Sequence, residues 1–235
     1  MNPTVAWHDV ECHAYTADLP LWEELAAAAD GPVLDVGAGT GRVALHLARA
    51  WYAVSALDVD AELLAELERR ARDAAVRVDT IVADAATFAA SGFGLVAVPM
   101  QTIQLLGDRR GFFASARRAL VPGGLVALAI ATELEAFEDG GPLPDPDIGT
   151  RDGTRFVSQP TTVRAIPGAT RIERLRHTIG PDGARSTAHD IIELAAVSAT
   201  ELESEGAAAG LRPEPARVIE PTPEHVGSEV VLLRG

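Results

Sequence analysis

The chain has no lysine. All twenty of its basic residues are arginine, against 34 acidic ones, for a formal charge of −14 over 235 residues. A nucleic-acid partner ordinarily requires a basic footprint, and anionic membranes repel such a surface, so both are excluded as expected partners. A single cysteine, Cys12, excludes an internal disulfide framework and any zinc site built from several thiolates. Long apolar runs are also missing. The longest clear one, Leu125 to Ala131, falls far short of the roughly twenty residues that cross a bilayer. The first arginine is Arg42, so the amino terminus lacks the charged start of a secretion signal, and a cytoplasmic location is expected. What remains is an apolar fraction of 47 %, enough for one large domain or one domain with an insertion, and a small molecule as the default substrate.

The richest stretch is Val33-Leu-Asp-Val-Gly-Ala-Gly-Thr-Gly41. An apolar strand pattern ends in a turn carrying Gly37, Gly39 and Gly41, and a helical pattern follows from Arg42 to Ala50. Glycine is needed where backbone bends sharply or approaches a ligand. Strand, glycine turn and helix together place a nucleoside ligand at the carboxyl end of a parallel strand. A dinucleotide fingerprint would need a third glycine at position 42, where an arginine stands. Instead an acid, Asp35, precedes the turn; it would repel a pyrophosphate but accept hydrogen bonds from a ligand ammonium.

Three further motifs follow in order. The apolar run Ala53–Leu57 ends in Asp58-Val59-Asp60, seventeen residues past Gly41. Asp58 can hold both hydroxyls of a ribose, while Asp60 suits the N-cap of a helix over 61–74. Next comes Ile81-Val-Ala-Asp84-Ala85-Ala-Thr-Phe88, and then Leu120-Val-Pro-Gly-Gly-Leu-Val126. This succession resembles the class I S-adenosylmethionine-dependent methyltransferases of the small-molecule type. The resemblance implies S-adenosylmethionine as cofactor and S-adenosylhomocysteine as product. It also implies cofactor contacts from Asp35, Gly37, Ala38, Gly39, Gly41, Asp58, Val59, Asp84 and Ala85, with the Asp84 carboxylate receiving the adenine amino group. A nicotinamide oxidoreductase and a noncatalytic cofactor-binding module are the competing readings.

The fold expected is α/β: a doubly wound, mainly parallel seven-stranded sheet with a C-terminal antiparallel hairpin and an inserted antiparallel β-ribbon. The spacing predicts strands at 33–36, 53–57, 78–82, 94–98 and 125–131, with helices at 41–50, 61–74 and 109–119. Residues 1–30 read as an amino-terminal arm or lid, 31–135 as the cofactor-binding core, and 136–197 as a ribbon over the substrate site. Residues 198–235 complete the core. The stretch Gly140–Asp147 reads as a proline–glycine hinge. Strand-rich runs at 155–158, 161–166, 171–179 and 188–197 are separated by turn signals at Pro167-Gly168 and Gly180–Gly183. Ser198-Ala-Thr-Glu201 is a capping box, Gly210 ends its helix, and strands are expected near 216–220 and 229–233.

Methyl transfer from a sulfonium needs an aligned nucleophile, and a hydroxyl or protonated amine acceptor must also lose a proton. Histidine suits that task near neutrality. His8 and His13 in the arm and His177 and His189 on the ribbon are the candidates, one of which is expected to approach the acceptor. His46 reads as surface or packing and His225 as solvated. After the fourth strand come Pro99, Gln101 and Gln104, assigned to the cofactor site; the two glutamines interrupt an apolar run and either hydrogen-bond the cofactor or the substrate or face solvent at a helix start. Pro99-Met-Gln departs from the pattern of family members that methylate nucleobase amines. Tyr15 either lines the cofactor pocket or packs the arm. The ribbon arginines, among them Arg155, Arg164, Arg171, Arg174 and Arg176, recognise a carboxylate or phosphate or else form a solvated face. No metal is expected, and a homodimer is compatible with the sequence.

Overall fold

The computed structural model describes residues 3–131, 134–137, 143–223 and 225–235. Contacts divide the chain into two compact units, one of residues 16–132 and 197–235, the other of residues 1–15 and 133–196. The arm expected over 1–30 is thus divided at Thr16, and residues 140–142 of the expected hinge lie outside the described residues.

In the larger unit, helix α2 (Leu19–Ala28) precedes an alternation of strand and helix: β1 (Val33–Val36), α3 (Arg42–Arg49), β2 (Val54–Asp58), α4 (Ala61–Asp73) and β3 (Asp79–Val82). Then come β4 (Phe93–Val98), the short α5 (Thr102–Leu105), α6 (Arg109–Ala119) and β5 (Leu120–Ile130). The chain returns with α7 (Ala199–Ala208), β10 (Arg212–Ile219) and β11 (Ser228–Arg234). The seven strands form one sheet in the order β10-β11-β5-β4-β1-β2-β3. β11 runs antiparallel to both of its neighbours, β5 and β10, and the remaining pairs of the sheet are parallel. The fold class expected from the sequence is the one observed.

Local chemistry accounts for the boundaries. Asp60 caps α4, its Oδ1 accepting from the amides of Glu62 (2.8 Å) and Leu63 (3.3 Å). Ser198 and Glu201 close the capping box of α7. Strand β1 is buried at every position, as expected of a strand covered on both faces. Phe112 and Phe113 of α6 are fully buried and meet edge to face at 5.4 Å. One expectation is corrected: β5 starts at Leu120, five residues before the apolar run. Phe93 pairs with Leu120 and Leu95 with Leu125, so Val121–Gly124 form a bulge within the strand rather than a turn before it.

The smaller unit holds α1 (Pro3–Cys12) and a four-stranded antiparallel sheet, β6 (Asp147–Arg151), β7 (Thr154–Ile166), β8 (Ala169–Ile179) and β9 (Arg185–Ala195). The runs expected at 155–158 and 161–166 are one strand, β7, joined through a bulge between Pro160 and Thr162. Proline has no amide to donate to the ladder, so a bulge accommodates it. The unanticipated β6 hairpins to β7 through Asp152-Gly153, both in the left-handed region at φ 49° and 75°. Opposed residues share a face, so Phe156, Ser158, Arg174 and Arg176 lie together, and Val157, His177 and His189 lie on the reverse. Helix α1 packs on the first face. Trp7 meets Phe156 edge to face at 5.0 Å, and the Glu11 carboxylate accepts from Ser158 Oγ (2.7 Å) and from Arg176 (2.7 and 2.8 Å).

Candidate functional site

The strand order reverses between β1 and β4, so the crevice beyond their carboxyl ends is where an open α/β sheet takes a ligand. The glycine turn lies there. Gly37 has φ 72°, and a Cβ on it would stand 2.5 Å from Thr102 Cγ2 of α5; only glycine lets the two connections pass. The amides of Gly37 and Ala38 donate to the Leu57 carbonyl at 2.8 and 3.1 Å. Gly41, at φ 94°, leads into α3, and a Cβ there would meet Leu67 Cγ at 2.6 Å.

Asp58 ends β2. Its Oδ2 accepts from the Gly39 amide at 2.8 Å and its Oδ1 from the Asp60 amide at 2.9 Å. The carboxylate expected to hold a ribose therefore also fastens the glycine turn. Val59 beside it is 75 % exposed and Val82, level with Asp58 on β3, is 59 % exposed. Two bare apolar side chains flank the carboxylate. At the end of β3, exposed Asp84 accepts from the Ala86 amide at 2.8 Å, while Ala85 is buried.

Asp35 is the unusual group. It is 1 % exposed; Oδ2 accepts from the Ala44 amide at 3.0 Å and Oδ1 has no hydrogen-bond partner. Burial pushes its carboxyl up to about 7, opposed by the charge of Arg42 and the Ala44 amide and reinforced by Asp18 and Asp58. Arg42, at the position a dinucleotide motif gives to glycine, is nearly buried and makes a bidentate pair with fully buried Asp18.

After β4, Pro99 is buried and Met100 has φ 54°, a conformation a bulky residue holds only where its surroundings impose it. Gln101 caps α5 by its backbone alone. Gln104, expected to face either ligand or solvent, is buried. Its Oε1 accepts from the Ala131 amide at 2.9 Å and its Nε2 donates to the Ala131 carbonyl at 3.3 Å. The side chain closes the end of β5.

Tyr15 and the four expected histidines belong to the smaller unit. His8 and His13 come from α1 and its end. His177 and His189 lie on the sheet face turned away from α1, where His177 Nδ1 meets Thr187 Oγ1 at 2.9 Å and His189 Nε2 meets Glu173 at 3.3 Å. Within the larger unit a histidine set aside in the sequence, His225, has a defined position. Glu229 pairs with Ile130, so the loop carrying His225 lies at the same carboxyl edge as the glycine turn. No sequence motif marks it; the antiparallel return of β11 does. His46 pairs with Glu23 at 2.9 Å.

Of the ribbon arginines, Arg164, Arg171, Arg174 and Arg176 meet Glu173, Glu193, Asp147 and the Glu11–Asp190 pair respectively. Among the described residues Arg155 and Arg185 have no acid partner, and both line a cavity of about 460 Å³ with His177 and Ile179. No group of residues that could hold a metal ion occurs among the described residues.

Residues 33–124 match the family model described as a methyltransferase domain. Among curated proteins none matches. Solved structures that share the fold include DesVI of Streptomyces venezuelae, at 22 % identity and TM-score 0.72, covering 98 % of both chains. CalS10 of Micromonospora echinaspora, an amino pentose methyltransferase with S-adenosylmethionine bound, is 22 % identical with TM-score 0.68 over 100 % of this chain and 98 % of its own. The sugar N-methyltransferase KedS8 of a Streptoalloteichus species is 19 % identical with TM-score 0.71, over 100 % and 94 %.

Proposed function

We propose that this chain, whose glycine turn belongs to a class I S-adenosylmethionine-dependent methyltransferase domain, transfers a methyl group to a nitrogen or oxygen of a small molecule by in-line displacement. The observation that carries the reading is Asp35 Oδ1, a buried acceptor without a donor at the end of β1. Such an atom costs about 1–3 kcal/mol, and a ligand ammonium would satisfy it. The other groups fit the same ligand. Asp58 has the acceptor capacity for ribose hydroxyls beyond its two amide bonds, and Val59 and Val82 offer an apolar surface to a base. Asp84 would receive the adenine amino group. Gly37, Ala38, Gly39 and Gly41 let the backbone approach.

When bound, the donor supplies a methyl group already activated on a sulfonium. The chain's part is to hold donor and acceptor aligned, worth several kcal/mol, and to receive the acceptor's proton. His225 Nδ1 or Nε2 is the proton acceptor the core offers at the ligand edge. Within the smaller unit, Arg155 and Arg185 line a cavity of their own and are the groups we assign there to a carboxylate or phosphate. The amino pentose methyltransferase CalS10 and the sugar N-methyltransferase KedS8 make amino sugars the first acceptors to screen. A cytoplasmic monomer or homodimer completes the reading; among the described residues no helix is long and apolar enough to cross a membrane.

Isothermal calorimetry with S-adenosylmethionine, S-adenosylhomocysteine and NADH tests it. Micromolar binding of both sulfur ligands and none of NADH is expected; the reverse pattern would establish the oxidoreductase reading. Transfer of a trideuterated methyl group to any acceptor separates an enzyme from a binding module.

A further inference from the structure

In the smaller unit, the sheet face turned away from α1 carries two adjacent ladder rungs of unusual composition. In the first, Arg155 of β7 and Arg185 of β9 flank Ile179 of β8. In the second, Val157 and Thr187 flank His177. These six residues, with Ser186, line the cavity of about 460 Å³. The other arginines of this sheet, Arg151, Arg164, Arg171, Arg174 and Arg176, each meet an acid. Arg155 and Arg185 are exposed and, among the described residues, pair with none, although the chain carries a formal charge of −14. In the adjoining turn the Asp182 carboxylate accepts from the Ala184 amide at 3.0 Å. Two cations on one face, two strand spacings or about 10 Å apart and with no acid between them, repel each other. They add nothing to the stability of the free sheet.

We infer that this face binds the phosphate monoester group of a small molecule, gripped from either side by Arg155 and Arg185, which rests on the assignment of that pair above and not on the donor. Charge selects phosphate over carboxylate. A phosphate monoester carries close to two negative charges at neutral pH and balances both cations, whereas a carboxylate leaves half of the positive charge unbalanced. Guanidinium forks also match phosphate oxygens in pairs. The second rung supplies a further donor. His177 Nδ1 and Thr187 Oγ1 lie 2.9 Å apart. If the hydroxyl donates, the neutral ring keeps its proton on Nε2; if Nδ1 donates, the hydroxyl proton is free. Either arrangement leaves one N–H or O–H for a phosphate oxygen. Volume determines the rest of the ligand. A bare phosphate replaces only a few waters, at about 30 Å³ each, so most of the cavity is left for the group esterified to it. Val157 and Ile179 give that group an apolar surface. Ile148 of β6, paired with Val157 and 51 % exposed, extends it.

Phenyl phosphate is the probe, with inorganic phosphate and benzoate as comparisons, titrated calorimetrically into the full chain and into Arg155→Gln and Arg185→Gln. The wild type binds phenyl phosphate about tenfold or more tightly than either comparison, and each substitution weakens that binding by about tenfold or more. Neither variant melts below the wild type, because neither side chain has an acid partner to lose. Equal affinity for benzoate or inorganic phosphate, affinity unchanged by either substitution, or no binding of phenyl phosphate to the wild type overturns the inference. A lower melting temperature in either variant would reveal a structural role and overturn it as well. S-adenosylmethionine titrated into the wild type tests the donor separately: its failure to bind refutes the methyltransferase reading and leaves the phosphate result standing. In the methyl-transfer assay, phenyl phosphate that raises the acceptor's KM at constant kcat identifies the phosphate as the acceptor's own. Absence of competition identifies a separate phosphorylated ligand.

Discussion

Removing Asp58 should cost the protein two things at once, and the structure separates them. In the free protein its two oxygens accept the amides of Gly39 and Asp60 at 2.8 and 2.9 Å. Asp58→Ala leaves both half-buried donors without that acceptor, about 1 kcal/mol each, or about 2 kcal/mol in all. For a chain of this size that lowers the melting temperature by about 4–8 °C. In the complex the carboxylate also loses two ribose hydroxyls. Hydrogen bonds to a charged group are worth about 1.5–3 kcal/mol, so even the low end gives about 3 kcal/mol, a weakening of roughly 150-fold. Asp58→Asn should fall between, because its amide oxygen still serves one backbone donor while its NH₂ faces the other. Scanning calorimetry without ligand and titration calorimetry with S-adenosylmethionine and S-adenosylhomocysteine read the two effects independently. A lower melting temperature with wild-type affinity would refute the argument, leaving Asp58 as an anchor of the turn and nothing more.

Other outcomes follow from single features. The native carboxyl of Asp35 stands at about 7 against an ordinary 3.8, so its contribution to stability is fully present below the ordinary value. It is lost as pH rises through about 7. Asp35→Asn, nearly isosteric and uncharged, should therefore be more stable than the wild type at about pH 8 while binding the donor more weakly; an identical pH dependence of melting in the two proteins would contradict this. Trp7→Ala removes a ring buried against Phe156 and beneath the Arg176 guanidinium, 5.5 Å from its centroid. A loss of about 3 kcal/mol in denaturant unfolding is expected, and less than about 1 would show that the helix contact is dispensable. Ser198→Ala opens the capping box of α7 and should cost about 1 kcal/mol in the same assay.

Much of this was already present in the order of residues. The period of the apolar runs and the acid–glycine succession at 35–41 set the strands, the helices and the identity of the core, because backbone preference and cofactor chemistry act over a few neighbouring positions. Asp60, Ser198 and Gly210 marked helix ends by the same local physics. Asp152-Gly153 was an equally local hairpin signal for β6 that the weaker apolar pattern of 147–151 concealed. Tertiary structure decided what depends on residues far apart. Nothing local shows that Gln104 turns inward to the backbone of Ala131, or that Asp18 and Arg42 meet across two helices. The same holds for the return of β11, which carries His225 to the ligand edge, and for the packing that leaves Asp35 Oδ1 without a partner. Burial and charge at these positions arise only when separate segments close around them, so the donor motif is legible in one dimension and its electrostatics only in three.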